Sequence, residues 1–400
     1  MKRWRQRSQR RRYAPRRSVQ RGGKVLHFIG RLDPGGVEVR TLELVEALAD
    51  ADLEHHVVAL SGERGLLDAD YAKAGARVSY LDIKKPYFPL ALVRLLRREK
   101  IDVVHANVHY PSGVLLALAW FAGVRGRVVQ FQSDGRAMEN ATWARRARNS
   151  VLKKLIDLFA TEIVGLTPDG LRLAWRENWE ADPRCRVVPN GVEVTRGNAL
   201  PPSHATPSLE DVRDSTSVIL HVGRGGLESK RRARAVEIFA RYAAVRPNSV
   251  LVFVGRDGTT EVEAAGNRAT LQSSAARLGV ADRVRFAGEV RNVGDFLSRG
   301  DLFLFTSKLE GLPGVVLEAL AAGLPVVSTD LPGVKFIAEH MDVDALLPID
   351  AAEQEWVDQM VTLPAKLDAE ERGRRAERVR GSAFDLEVAK LKYLSLWAKR

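Results

Sequence analysis

DLFLFTSKLEGLPGVVLEALAAG, residues 301–323, is the stretch whose reading decides the fold. The apolar run from Asp301 to Thr306 reads as a buried parallel strand. VVLEALAAG (315–323) reads as a short helix ending at Gly323. Between the two, Glu310 and Glu318 stand eight positions apart, with Gly311 and Gly314 in the interval. Open α/β sheets bind ligands at such strand-to-helix turns, outside the carboxyl ends of the strands. The turn also points a helix N-terminus and its N–H groups at whatever binds, which favours an anion such as phosphate. Carboxylates repel phosphate, so Glu310 and Glu318 are read as groups that grip hydroxyls. Anion-binding amides flanked by hydroxyl-binding carboxylates suit a sugar nucleotide.

The same alternation runs through the rest of the chain. KVLHFIG (24–30), HHVVAL (55–60), RVSYLDI (77–83), DVVHA (102–106), RVVQFQ (127–132) and EIVGL (162–166) read as strands separated by amphipathic stretches. SVILHVGR (217–224), SVLVFVGRDG (249–258), VRFAGEV (284–290), DLFLFTS (301–307) and LPVVSTD (324–330) repeat the rhythm. This predicts an α/β fold of two doubly wound, Rossmann-like domains facing across a cleft. The expected divisions are a tail at 1–23, an N-terminal domain at 24–198, a linker at 199–216 and a C-terminal domain at 217–384. The final segment, 385–400, reads as an amphipathic helix with Val388, Leu391, Leu394 and Trp397 along one stripe.

Composition narrows the class. One cysteine among 400 residues, Cys185, excludes a disulfide framework and a Cys-rich zinc site, and fits a reducing compartment. The longest apolar run, VLLALAWFAGV (114–124), is too short to span a bilayer. Ten of the 62 Lys/Arg lie in residues 1–23, and the remaining 52 face 50 acidic residues, so the excess charge belongs to the tail. No apolar segment follows it, so it does not read as a secretory signal. Three readings stay open: a solvated tail, an anchor to anionic lipid, and a nucleic-acid contact, the last without any base-reading motif. No nucleic-acid partner is expected. WARRARNSVLKKLIDLF (143–159) is a basic amphipathic helix whose Arg145, Arg146, Arg148, Lys153 and Lys154 could face an anionic membrane surface.

HVGR (221–224) with Lys230 following, LVFVGRDG (251–258), and the continuous run from Val284 to Thr329 occur in an order that resembles the retaining glycosyltransferases of family 4. That family has the two-domain GT-B fold, and the branch most similar to this chain makes capsular or exopolysaccharide. The resemblance covers roughly residues 24–400, strong in the second half and looser in the first. It implies transfer from a nucleoside diphosphate sugar, UDP by default, to a glycan or lipid-linked acceptor. It also implies no cofactor and no metal. A cytoplasmic site of action is expected with the lone cysteine, and the basic tail and the helix 143–159 add peripheral attachment to the inner face of the membrane as an expectation. The last helix would cross back onto the N-terminal domain.

Arg224 ends a strand and Lys230 opens the next helix; two cations there suit a diphosphate. By resemblance they hold the donor phosphates and offset charge on the leaving group. The interval between them is six residues where the family usually has about five, so Arg231 is the alternative to Lys230. By resemblance Glu318 grips the ribose, Glu310 contacts the donor sugar, and the loop Arg291–Asn292–Val293 touches the base through its backbone. Pro313 has no N–H, so Leu312, Gly314 and Val315 are the expected amide donors beside Gly311. Gly35 and Gly36 precede a helix where backbone can approach a ligand, and Glu38 completes a Gly-Gly-x-Glu similar to the family's.

His105 ends a strand and is a candidate catalytic residue at the cleft, with His109 close by in sequence. The family commonly carries a histidine at the end of the next strand. Here Gln130 or Gln132 stands in its place, followed by Asp134. Asp68-Ala69-Asp70 looks helical and Asp342-Val343-Asp344 sits in a loop, so neither is read as a metal site. The alternatives carried alongside are a sugar-nucleotide epimerase or phosphorylase of the same architecture, and a non-catalytic sugar-nucleotide binder at a membrane.

Overall fold

The computed structural model describes residues 23–132, 142–194, 207–225, 228–258, 260–290 and 292–398. The basic tail up to residue 22, Asp134 and Arg291 lie outside the described residues. The chain forms two compact units, Met1–Val188 with Ala389–Arg400, and Pro189–Val388.

The first unit holds β1 (Gly23–Ile29), β2 (Leu53–Ala59), β3 (Arg77–Tyr80), β4 (Val103–Ala106), β5 (Gly126–Phe131), β6 (Glu162–Gly165) and β7 (Cys185–Val187). They pair in parallel in the order β3-β2-β1-β4-β5-β6-β7. The order reverses at β1, which places the topological switch point beyond the carboxyl ends of β1 and β4.

The second unit holds β8 (Ser217–Val222), β9 (Ser249–Val254), β10 (Val284–Gly288), β11 (Leu302–Phe305), β12 (Val326–Thr329) and β13 (Ala345–Leu347). These also pair in parallel, in the order β10-β9-β8-β11-β12-β13, with the switch point at β8 and β11. Every residue of β8, β9, β11 and β12 is buried, which is why their sequences are continuous apolar runs rather than alternating ones. β7 and β13 were not foreseen as strands, since three residues are too few to show a periodicity.

The division between units falls at Val188 rather than at 198. Val192 bridges to Asp385: its N–H donates to the Phe384 carbonyl at 2.8 Å and its carbonyl accepts from Leu386 N–H at 3.0 Å. That pairing ties residues 189–194 to the second unit.

The last helix, Leu386–Trp397, returns to the first unit. Its buried face is Ala389, Tyr393, Leu396 and Trp397, packed with Val25, Leu44, Val103 and Val128. This corrects the stripe read from sequence, because Leu391 is 67% exposed. The helix carries apolar residues nearly all round, so periodicity did not select a face. Tyr393 does: its hydroxyl accepts from Gln130 Nε2 at 2.9 Å. Trp397→Ala is expected to cost about 3–5 kcal/mol in urea unfolding. Leu391→Ala is expected to cost less than about 0.5 kcal/mol. The reverse ranking would restore the sequence-derived stripe.

Candidate active site

At the carboxyl edge of the second sheet, Lys230 ion-pairs with Glu310, although 80 residues separate them in sequence. Their side chains are 16% and 19% exposed. Lys230 closes a short 3-10 turn after β8, and Glu310 lies in the loop after β11, so the two strands at the switch point supply one partner each. Arg231 is turned to a different partner. It sits in a left-handed conformation, φ 50°, and its guanidinium donates to the Ile349 carbonyl at 2.5 Å.

The turn that aims Lys230 is held from below. Thr306, fully buried just past β11, donates its hydroxyl to the Lys230 carbonyl at 3.1 Å, with the Arg231 carbonyl at 3.2 Å. His221 Nε2 lies 3.1 Å from the same hydroxyl oxygen. A hydroxyl that gives its proton to a carbonyl can only accept from His221, which assigns the proton to Nε2. Burial, helped by the Arg232 and Lys230 charges, pushes the His221 pKa down to about 3, so the ring stays neutral.

Arg232 is 5% exposed and pairs with Asp257 at 2.5 Å; Asp257 also takes Arg268 at 2.6 and 2.8 Å. The Arg232 guanidinium further donates to the Gly223 carbonyl and, at 3.1 Å, to the Gly255 carbonyl. It thereby binds the ends of β8 and β9 together. Glycine is required where those ends meet. Gly255 has φ 117°, and a Cβ there would stand 2.7 Å from the Gly223 carbonyl oxygen. Neither Arg232 nor Asp257 stands out in the sequence, since two partners 25 residues apart on separate strand ends leave no spacing signal.

The helix Gly314–Ala321 buries Val316, Leu317, Ala319 and Leu320 against the sheet. That leaves Gly314, Val315 and Glu318 along its half-exposed edge, so Glu318 and the first helical N–H groups share one side. Leu312 is buried beneath the loop. Gly311 is seated against Gly333 of the helix Pro332–Ala338, where a Cβ would lie 1.7 Å from the Gly311 carbonyl oxygen. Gly333 was missed in the sequence, since a glycine after Pro332 reads only as a helix start. Arg224 lies two residues past the end of β8, after Gly223. Asn292 accepts from Gly294 N–H at 2.9 Å and donates to Asp295 at 3.2 Å, which shapes the turn after β10.

In the first unit, Gly35 is extended and Gly36 opens the helix Gly36–Ala47 after β1. The Glu38 carboxylate folds back so closely that a Cβ on Gly35 would stand 2.4 Å from it.

His105 is not at an open strand end. It is 2% exposed, packed between the rings of His27 and Tyr393, each 5.7 Å away. Burial pushes its pKa down to about 4. The expectation of a catalytic His105 is therefore corrected: its side chain points to the face that the last helix covers. Gln130 points to the same face, at Tyr393. Gln132, one step past β5, instead donates to Asn107 Oδ1 at 3.0 Å beyond the end of β4. His109 stands near them with φ 57°.

The Asp-x-Asp triplets serve the scaffold. Asp68 accepts from Tyr80 Oη at 2.5 Å, and Asp344 pairs with Arg375 at 2.6 Å. Among the described residues no three His, Cys, Asp or Glu side chains group as a metal site would require.

Two family models match: "Glycosyl transferase 4-like domain" over residues 35–191 and "Glycosyl transferases group 1" over residues 216–365. CapH of Staphylococcus aureus, a capsular polysaccharide biosynthesis glycosyltransferase, is 31% identical over 312 residues, 77% of this chain and 81% of CapH. An Escherichia coli UDP-Gal:alpha-D-GlcNAc-diphosphoundecaprenol alpha-1,3-galactosyltransferase is 25% identical over 276 residues, 64% of this chain and 67% of that one. The crystal structure of Anabaena HepE in complex with UDP and glucose shares the fold. Its TM-score is 0.72 at 17% identity, covering 94% of this chain and 100% of HepE. The chain thus belongs to the family 4, group 1 glycosyltransferases with the GT-B fold.

An imidazole held near 3 in the folded state and near 6.5 unfolded takes its proton first in the unfolded chain. Stability is then full above pH 6.5 and falls as pH drops toward 3. His221→Gln is expected to flatten that fall by up to about 1.4 kcal/mol per pH unit between roughly pH 6 and 4, read by urea unfolding. An unchanged slope would mean that His221 is not held neutral.

Proposed function

We propose that this glycosyltransferase is a retaining, metal-independent hexosyltransferase. It takes a sugar from a nucleoside diphosphate sugar, UDP by default, and passes it to a glycan or lipid-linked acceptor in polysaccharide or glycoconjugate biosynthesis. The observation that carries this reading is the meeting of Lys230 and Glu310 beside the N-terminus of the helix Gly314–Ala321, at the switch point of the second sheet. The CapH likeness supports a polysaccharide acceptor, and the galactosyltransferase likeness supports a lipid-linked one. The UDP in HepE supports the choice of nucleotide.

In the proposed step the acceptor oxygen bonds to the anomeric carbon on the face from which the diphosphate oxygen departs. The acceptor's proton passes to that departing oxygen. Arg224 and Lys230 offset the charge that builds on the diphosphate, in place of a metal. Glu310 orients Lys230 and holds donor-sugar hydroxyls, and Glu318 holds the ribose. The N–H groups of Leu312, Gly314 and Val315 meet the phosphate that the helix N-terminus attracts. The Asn292 turn meets the base. Cytoplasmic location suits a chain whose single thiol, Cys185, is half-buried and pushed up to about 12 by burial.

Thermal unfolding with UDP, GDP and ADP tests the donor site. The matching nucleotide at about 100 times its dissociation constant should add about 2.7 kcal/mol of stability, and Glu318→Ala should abolish that gain. Glu310→Ala should keep the fold and lose transfer, whereas transfer by the wild type should persist in EDTA with the anomeric configuration of the donor. Undiminished turnover in Glu310→Ala would sink the assignment. Donor binding with no nucleotide release under any acceptor would favour the non-catalytic binder.

A further inference from the structure

In the second unit the loop after β11 runs beside the turn after β8, and main-chain bonds stitch the two together. The Lys308 N–H donates to the Ser229 carbonyl at 2.8 Å, and the Thr306 hydroxyl reaches the next carbonyl, that of Lys230. Charges flank this stitch in reciprocal order. Lys230 pairs with Glu310, and Lys308 pairs with Glu228. The two pairs differ in their exposure. The Lys230–Glu310 pair is largely shielded, whereas the side chains of Glu228 and Lys308 are 89% and 37% exposed. An ion pair so open to water contributes little, because solvent screens it and it immobilises two long side chains. Lys308 is therefore weakly held. Its neighbours are held more firmly. Arg231 is bonded to the Ile349 carbonyl at 2.5 Å, and Arg232 is locked into the buried pair with Asp257.

The donor chemistry proposed above has a use for a weakly held cation. Arg224 and Lys230 are given to the donor there, but so are Glu310 and Glu318, and the formal charges of these four side chains cancel. A nucleoside diphosphate sugar brings an ionised diphosphate, which gathers more charge as the sugar departs, so further positive charge is needed nearby. Lys308 stands on the loop that leads to the helix N-terminus at Gly314, and its backbone is bonded to the residue before Lys230. Lysine carries a compact charge on a flexible stem with three rotatable donors, which suits a move from an open carboxylate to a phosphate oxygen. The bond to phosphate, formed in a more sheltered place, is the stronger of the two.

We propose that Lys308 is a further cation for the donor's diphosphate, beside Arg224 and Lys230, and that Glu228 holds its ammonium until the nucleotide arrives. The inference rests on the donor site proposed above and adds to it one residue and one exchange of partners.

The test is titration calorimetry of the full chain with UDP, GDP and ADP. The nucleotide that binds the wild type is then titrated into Lys308→Ala, Glu228→Ala and the double variant. The main-chain bond to Ser229 survives in all three, so thermal unfolding without nucleotide should match the wild type. Lys308→Ala should raise Kd about tenfold to a hundredfold. Glu228→Ala should lower it about two- to fivefold, because the competing carboxylate is gone. The double variant should stay as weak as Lys308→Ala. An unchanged Kd in Lys308→Ala overturns the proposal and leaves the donor site standing. Equal weakening by the two single variants, or a lowered unfolding temperature in both, would make the pair a strap between loops and overturn it. A double variant restored to wild-type affinity would reduce the effect to repulsion by Glu228 and overturn it too. A wild type that binds none of the three nucleotides would overturn the donor site and this inference together.

Discussion

Arg232 is a charge that the second unit has taken out of water, and the carboxyl edge of that sheet is built around the need to satisfy it. Its guanidinium finds Asp257 and the carbonyls of Gly223 and Gly255, so each backbone segment leaving β8 and β9 is turned toward it. Breaking one side of such a buried pair typically costs about 3–5 kcal/mol, because the surviving charge is left without water or partner. The carbonyls can turn inward only where backbones pass at van der Waals distance, hence the glycines. Lys230 and Arg231 stand immediately before this anchored residue, so the direction of Lys230 is set by a group that touches no substrate in the proposed mechanism.

A second set of constraints fixes the partner loop. The helix Gly314–Ala321 presses its apolar side onto the sheet, and Gly311 is packed against Gly333. Glu310 is consequently delivered to Lys230 by a loop with little freedom. Thr306 joins the two halves by bonding the Lys230–Arg231 carbonyls from the end of β11, with a neutral His221 behind it. The result is a half-buried cation and carboxylate, preorganised before any ligand adds its own charge.

The first unit is held by a different interaction. Three imidazoles, His27, His55 and His105, lie on one face of adjacent strands, and Trp397 and Tyr393 of the last helix cover them. Burial lowers the pKa of all three, so they pack as neutral aromatic bodies. The same arrangement explains the misreading of His105. Residues alternate faces along a strand, and a residue near a strand end belongs to the core if its face is covered. Gln130 shares the covered face, whereas Gln132, beyond the strand, meets Asn107.

Strand-to-helix alternation, the parallel sheets, the positions of Glu310 and Glu318 and the turn after β8 were legible in the sequence, because buried parallel strands are written as unbroken apolar runs. The ordered motifs also carried the family. Three-residue strands left no such trace, and neither did the face of a helix that is apolar nearly all round. The pairing of Lys230 with Glu310 and of Arg231 with the Ile349 carbonyl, the burial of His105, the knot at Arg232 and Asp257, and the seat of Gly311 on Gly333 were decided by tertiary structure alone. Each depends on which chemically similar group reaches a distant partner. Spacing along the chain records distances within one element, whereas these distances arise only when separate strands are brought side by side.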